Sequence, residues 1–297
     1  MNKKILLVGT VSNVAKTIEK ELRIVLNALS VFESVEVFLV ESDSMDQTSE
    51  TLERIHLNDN NIKYISLGEL RESIPNRIDR LRYCRNQYVK FIRDNYQNKV
   101  WDFVAVADLD GMNLKLTVKS IKTCFINSPH WDGVMANQKH GYYDLLALRA
   151  EGWMENDCFE LLNELKHNEI PFSKKRSRFL NFFSEFNYYD NLRYRAIYSK
   201  MFKIDPASAW IRVKSAFGGF AIYKTELFIS YTYDHVQING KSTIDHVDFN
   251  LKCSNNKAIF YVNPSLINSN WNIYNLNKLK FIRFSRELKK HFKRMVN

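Results

Sequence analysis

Through its first 136 residues the chain alternates between two hydrophobic rhythms, and few architectures accommodate that alternation. Short continuous apolar runs at residues 4–8, 35–40, 62–65, 100–107 and 133–136 read as buried strands, being brief and rich in β-branched and aromatic side chains. The stretches between them carry apolar residues at helical spacing. Residues 13–29 place Val14, Ile18, Leu22, Val25, Leu26 and Leu29 on one face. Residues 48–55 start a helix with Asp46 or Thr48 as cap. Residues 74–95 form a long charged helix interleaved with Ile78, Leu81, Tyr88, Val89 and Ile92, and residues 114–125 form the next. Strand, helix, strand, helix in this order predicts an α/β fold: a Rossmann-like, mostly parallel central sheet flanked by helices.

The length of 297 residues suits one large domain with an appended piece. We place the domain at residues 1–265 and a basic tail at 266–297. Apolar residues make up 45% of the chain, enough for a sizeable core, and nine Gly and five Pro leave little room for long disordered stretches. No segment approaches the roughly 18–20 apolar residues of a membrane span. The apolar run at residues 5–8 is too short for a signal peptide and reads as the first strand, which predicts a cytoplasmic protein. Cys84, Cys124, Cys158 and Cys253 lie far apart, with no C-x-x-C pair. They are expected to be reduced and mostly buried rather than zinc ligands or disulfides.

The run at residues 100–107 ends in Asp108-Leu109-Asp110, followed by Gly111, Met112 and Asn113, a turn and helix cap. Two carboxylates at i and i+2 past a strand's end lie where open α/β sheets bind ligands. They are hard oxygen ligands suited to Mg²⁺ or Mn²⁺ carrying a diphosphate. Four more stretches accompany them. Strand 35–40 runs into Glu41-Ser42-Asp43-Ser44, where an acid can accept hydrogen bonds from a nucleobase or ribose. Gly141 to Arg149 follows the strand at Gly133. Gly218-Gly219 precedes an apolar strand and lets backbone approach a ligand closely. Asp245-His246-Val247-Asp248 groups two carboxylates and an imidazole at a helix start.

In this order the motifs resemble the GT-A glycosyltransferases, over roughly residues 3 to 265. Within that superfamily the chain looks closest to the capsule-associated and mannosyltransferase-like branch related to fungal cap-associated transferases. The resemblance rests on Glu-Ser-Asp-Ser-x-Asp-x-Thr, Arg80 with Arg85-Asn86, Tyr-Tyr-Asp-x-x-Ala-Leu-Arg and Phe-Gly-Gly-x-Ala-Ile-Tyr. It implies that Asp108 and Asp110 hold Mn²⁺ or Mg²⁺ or position the sugar ribose and phosphate. It implies that Asp43, with Ser42 beside it, contacts the nucleoside, and that Arg80, Arg85 and Asn86 reach the diphosphate. Asp144 and Arg149 would line the donor-sugar pocket, and Gly218 and Gly219 would shape the acceptor side. Many inverting members carry a Glu-Asp pair after the Gly-Gly strand, where this chain has Asp245-His246. Asp245, His246 and Asp248 are therefore alternative catalytic bases, with His246 also a candidate third metal ligand. Inversion and retention both stay open.

A net charge of +10 favours anionic partners. Residues 166–203 form a basic and aromatic insertion, helical or loop-like, with Phe172, Phe179, Phe182, Phe183 and Phe186 among Lys174, Lys175, Arg176, Arg178 and Arg193. Residues 278–297 hold eight Lys or Arg against one acid, Glu287, with apolar residues at helical spacing. Such a helix either lies on an anionic membrane surface or packs on the body with a solvated basic face. The expected function is metal-dependent sugar transfer from a nucleotide-sugar, UDP-linked first and GDP-mannose second. The acceptor would be a glycan or lipid-linked molecule of bacterial capsule, O-antigen or lipopolysaccharide synthesis, at the inner face of the cytoplasmic membrane. One competing reading, a nucleotide-sugar nucleotidyltransferase, lacks the Gly-rich phosphate loop in Gly9-Thr10-Val11-Ser12-Asn13. The other, a nucleic-acid binder, lacks any helix-turn-helix, zinc-finger or RNA-binding signature, so nucleic acid is not an expected partner.

Overall fold

A computed structural model describes residues 1–97, 101–170, 177–234, 237–238, 241–242, 244–272 and 274–296. Val100, Phe172, Lys174, Lys175, Arg176 and Asn297 fall outside the described residues, as do the side chains of Arg178, Phe179, Phe292, Lys293, Arg294 and Met295. The strands are β1 (Lys4–Val11), β2 (Ser34–Glu41), β3 (Ile62–Ser66), β4 (Phe103–Ala107), β5 (Gly133–Gln138), β6 (Ile211–Val213), β7 (Phe220–Lys224), β8 (Gln237–Ile238), β9 (Lys241–Ser242) and β10 (Phe260–Ser269). The helices are α1 (Ile18–Leu29), α2 (Thr48–Asn58), α3 (Arg77–Asn95), α4 (Val118–Lys122), α5 (Cys158–Asn168), α6 (Arg178–Ala196), α7 (Glu226–Ser230), α8 (Asp245–Asn255) and α9 (Lys280–Val296).

Eight strands form one mixed sheet in the order β3-β2-β1-β4-β7-β5-β10-β6. Six run in the same direction, and β7 and β6 oppose them. This is the mostly parallel, helix-flanked α/β architecture that the sequence predicts. Both faces of the sheet are covered, which explains the unbroken apolar strands. In β1, Ile5 and Leu7 join the core under α1, whereas Leu6 and Val8 join the core under α3.

Several boundaries differ from the sequence reading. α3 starts at Arg77, because the Asn76 side chain accepts hydrogen bonds from the Ile78 and Asp79 amides. α4 is short, since Thr117 and Ser120 form a reciprocal cap; Asn113 is not the cap. β10 was not foreseen, and the expected domain boundary at 265 falls within it. The 166–203 stretch holds the end of α5 and all of α6. α9 packs against α6, with Phe284 against Phe183 and Phe186 at ring distances of 5.4 and 5.1 Å. Beside them Arg283 makes a bidentate ion pair with Asp190, both buried.

Candidate functional site

The order of the sheet reverses beside β1: the chain steps outward to β2 and β3, then returns to lay β4 on the other side. A crevice opens at such a switch point, outside the carboxyl ends of the strands. Asp108 and Asp110 stand there, just past β4. β7 runs antiparallel between β4 and β5, pairing Phe220 with Ala107, so its start also lies at this edge. The ends of β4, β5 and β10 and the Gly218-Gly219 turn therefore converge.

The turn carrying the two acids is rigidly held. Glu21, fully buried on α1, accepts hydrogen bonds from the Gly111 amide (2.5 Å) and the Asn113 amide (2.7 Å). The Asn113 side chain donates to the Asp108 carbonyl at 2.6 Å and accepts from Asn268 at 3.1 Å. The Asp108 amide donates to the Gly219 carbonyl at 3.0 Å. Gly218 and Gly219 both adopt left-handed backbone, with φ of 72° and 81°. A Cβ on Gly218 would meet the Ala136 carbonyl oxygen at 2.7 Å, and one on Gly219 would meet the Tyr143 hydroxyl at 2.9 Å. Only glycine brings this turn so close to β5 and Tyr143.

Arg85 of α3 is the cation nearest the acid pair. It is buried, its Nε bonds Asp245, and one terminal nitrogen lies 3.5 Å from Asp108. Its Nη1 is sealed from solvent, with no hydrogen-bond partner among the described residues. Burial opposes its charge, but Asp245 and Asp108 hold it protonated. Asp108 keeps 35% of its side-chain surface accessible at the floor of the crevice. The protein massed around it still pushes its carboxyl up to about 7; Arg85 opposes that rise, while Asp110, Asp144 and Asp245 add to it. Asp110 reaches solvent at the lip, yet burial raises its carboxyl too. Burial likewise raises Asp144, whose carboxylate accepts from the Gly218 amide at 2.9 Å. For Asp245, burial would raise the carboxyl, but Arg85 overcomes it and the group stays low.

Other expected site residues are engaged within the fold. Asp43, at φ 57°, accepts hydrogen bonds from the Leu70 and Arg71 amides at 2.9 and 3.0 Å, and Arg80 lies 3.5 Å away. Arg80 also caps the Ile74 and Pro75 carbonyls, both at 2.8 Å. The Ser42 hydroxyl lies 3.4 Å from the Cys84 sulfur. Asn86 pins the Tyr233 backbone through both its amide atoms. Arg149 is buried, holding the Leu146 and Leu148 carbonyls and Asp157. Asp248 is wholly buried against Arg82 at 2.7 Å.

His246 is buried beside Arg85 and Asp245. Its ring stacks on Phe217 at 3.7 Å, and both nitrogens are buried without hydrogen-bond partners. Burial, reinforced by Arg85, depresses its pKa to about 3. Among the described residues no three His, Cys, Asp or Glu side chains gather to hold a metal ion, so His246 does not complete a set with Asp108 and Asp110. Two carboxylates still fit Mg²⁺ or Mn²⁺, which are commonly held by one or two carboxylates, with substrate phosphates and water filling the other positions.

The sequence reading missed Glu21, Asn268 and an aromatic wall. Tyr143 stacks on Tyr274 at 5.1 Å, and Asp108 and Asp110 bear on both phenols. A signal for Glu21 was present: an acid on the apolar face that Ile18, Leu22 and Val25 define.

No protein-family model and no curated protein sequence matches the chain. Solved structures do. A mannosyltransferase from Pyrobaculum calidifontis, in complex with GDP-Man and Mn²⁺, aligns at 12% identity over 91% of this chain and 57% of that one, with a TM-score of 0.48. S. aureus TarS in complex with UDP aligns at 16% identity over 87% and 57%, with a TM-score of 0.40. Glucosyl-3-phosphoglycerate synthase of M. tuberculosis aligns at 12% identity over 90% and 70%, with a TM-score of 0.39. The chain thus spans little more than half the length of the first two. At these identities and scores, the fold rests on the strand order described above.

Proposed function

We propose that this chain is a metal-dependent glycosyltransferase using a nucleoside diphosphate sugar. The observation that carries this reading is the pairing of Asp108 and Asp110 at the switch point, with Arg85 buried 3.5 Å from Asp108. Acids alone would repel a diphosphate, but two carboxylates sharing a dication, with a guanidinium beside them, suit one. Asp108 and Asp110 would hold Mn²⁺ or Mg²⁺, which when bound supplies Lewis-acid stabilisation of the leaving diphosphate. The Arg85 terminal nitrogen that lies 3.5 Å from Asp108 supports a second, fixed donor to the phosphate oxygens. Asp144 and the Gly218-Gly219 turn would frame the sugar, and Asp43 with Ser42 the nucleoside side. Of the three candidate bases, Asp245 shares Arg85 with Asp108, so we assign it to the acceptor hydroxyl. Asp248 and His246 are assigned to packing.

Within this reading a UDP-sugar is the first donor to test and GDP-mannose the second. The resemblance to capsule-associated and mannosyltransferase-like enzymes supports a glycan or lipid-linked acceptor of a bacterial surface polysaccharide. No described helix is long and apolar enough to cross a membrane. We place the protein at the inner face of the cytoplasmic membrane, on the strength of its charge. A thermal-shift panel of UDP-, GDP- and CMP-sugars, with and without Mn²⁺, tests the donor. At least one diphosphate nucleotide should raise the melting temperature only when metal is present. A panel flat across all diphosphate nucleotides refutes the reading.

A further inference from the structure

α5, α6 and α9 enclose a cleft of about 970 Å³, lined by residues distinct from those of the acidic crevice. That volume is typical of a ligand pocket. Its walls combine two chemistries. Phe159, Leu162, Phe182 and Phe186 give an apolar side. Against them stand, among the described residues, eight charged side chains, four of which cancel: Arg283 pairs with Asp190, and Lys290 with Glu287. Lys166, Arg193 and Arg286 remain, opposed among the described lining residues by Glu185. The cations converge: Arg283 lies 4.5 Å over the Tyr198 ring, and Arg193 and Arg286 both bear on its phenol. Phe159, Leu180, Tyr189, Tyr194 and Phe281 also stand exposed on these three helices. Single exposed apolar residues are ordinary, but a concentration of them beside a cationic cleft is not.

We propose that this cleft binds an anionic lipid, with the phosphate headgroup among Lys166, Arg193 and Arg286 and the first part of the acyl chain along Phe159, Phe182 and Phe186. The cationic excess selects an anion, and the aromatic wall gives an attached chain a surface that a free anion would leave bare. A helix lying flat on a membrane needs its apolar face free. α9 spends part of that face on α6, so recognition falls to the cleft between the two helices. The proposal stands apart from sugar transfer, since a lipid can bind here whatever occurs at the acidic crevice.

The test is calorimetric titration of the full chain with short-chain phosphatidylglycerol below its micelle concentration. Phosphatidylcholine of equal chain length and inorganic phosphate are titrated in parallel. Phosphatidylglycerol should bind saturably and at least tenfold more tightly than either comparator. The double variant Arg193→Glu/Arg286→Glu should lose at least tenfold in affinity, whereas Lys16→Glu/Lys20→Glu, an equal charge change near α1, should not. Should the double variant fail to fold, Lys166→Glu on the exposed end of α5 decides, with a loss of at least threefold expected. Equal binding of phosphatidylcholine or phosphate, or reversals that leave affinity unchanged, overturns the proposal.

Discussion

Asp108 is pulled in two directions. Burial and three neighbouring acids favour its neutral form, and Arg85 favours its charged form, with a net result near 7. Between its ordinary value of 3.8 and about 7, the folded chain holds a proton that the unfolded chain has released. This group therefore costs stability as pH rises through that window, which is the opposite of a salt-bridged surface Asp. On the proposed function a dication would bind the carboxylate form, so Mn²⁺ affinity measured by titration should climb roughly tenfold per pH unit toward about 7 and then level off. Affinity independent of pH between 5.5 and 7.5 would mean that Asp108 is not a ligand. His246 carries the reverse sign. With its pKa held near 3, its contribution is complete above the unfolded value of 6.5 and fades as pH falls below it. His246→Phe, which keeps the stack on Phe217, should change stability at pH 7 by less than about 1.5 kcal/mol and flatten the loss of melting temperature on the acid side. Steeper acid sensitivity in that variant would contradict the packing role. At this scale the sequence displayed the acid pair, because two carboxylates after an apolar strand are conspicuous. It hid the difference between Asp245 and Asp248, since which carboxylate faces Arg85 and which faces Arg82 depends on the rotation of α8.

At the scale of elements, α3 and α8 are joined by two ion pairs, Arg85 with Asp245 and Arg82 with Asp248. The Asp248 pair is buried, so removing Asp248 strips the Arg82 guanidinium of its buried carboxylate and leaves it the more exposed Asp79 at 2.7 Å. Asp248→Ala should destabilise the protein by about 3 kcal/mol in denaturant titration, without touching the acidic crevice. A change under about 1 kcal/mol would show that the pair does not hold the helices. The β-α-β-α half was legible because period-two and 3.6-residue patterns differ. β10 was not, because Pro264 and a run of polar residues, Asn263, Ser265, Asn268 and Ser269, obscure its strand character. Those side chains are satisfied inside the fold: Asn263 bonds Thr123, Ser265 the Pro206 carbonyl, and Asn268 the Gly218 carbonyl. Sequence shows polarity and not the partner that absorbs it. The basic tail was legible as an amphipathic helix, but its partner, α6, appears only when the chain is folded.

At the scale of the molecule, a single edge of the sheet collects the ends of β4, β5 and β10, the start of β7 and the buried Arg85. Net charge of +10 surrounds a crevice whose own side chains are mostly acidic. On the proposed function that inversion suits a dication at the crevice, because the long-range field would attract a nucleotide that the local carboxylates alone would reject. The most direct test is calorimetric titration of the donor nucleotide selected by thermal shift, with Mn²⁺ and then with EDTA, into the wild type and Asp110→Asn. Asp110 reaches solvent, so its replacement should leave the fold and melting temperature intact. The account predicts tight binding by the wild type with Mn²⁺ and a loss of at least a hundredfold, about 2.7 kcal/mol, with EDTA or in the variant. Equal affinity in all of these titrations would contradict it.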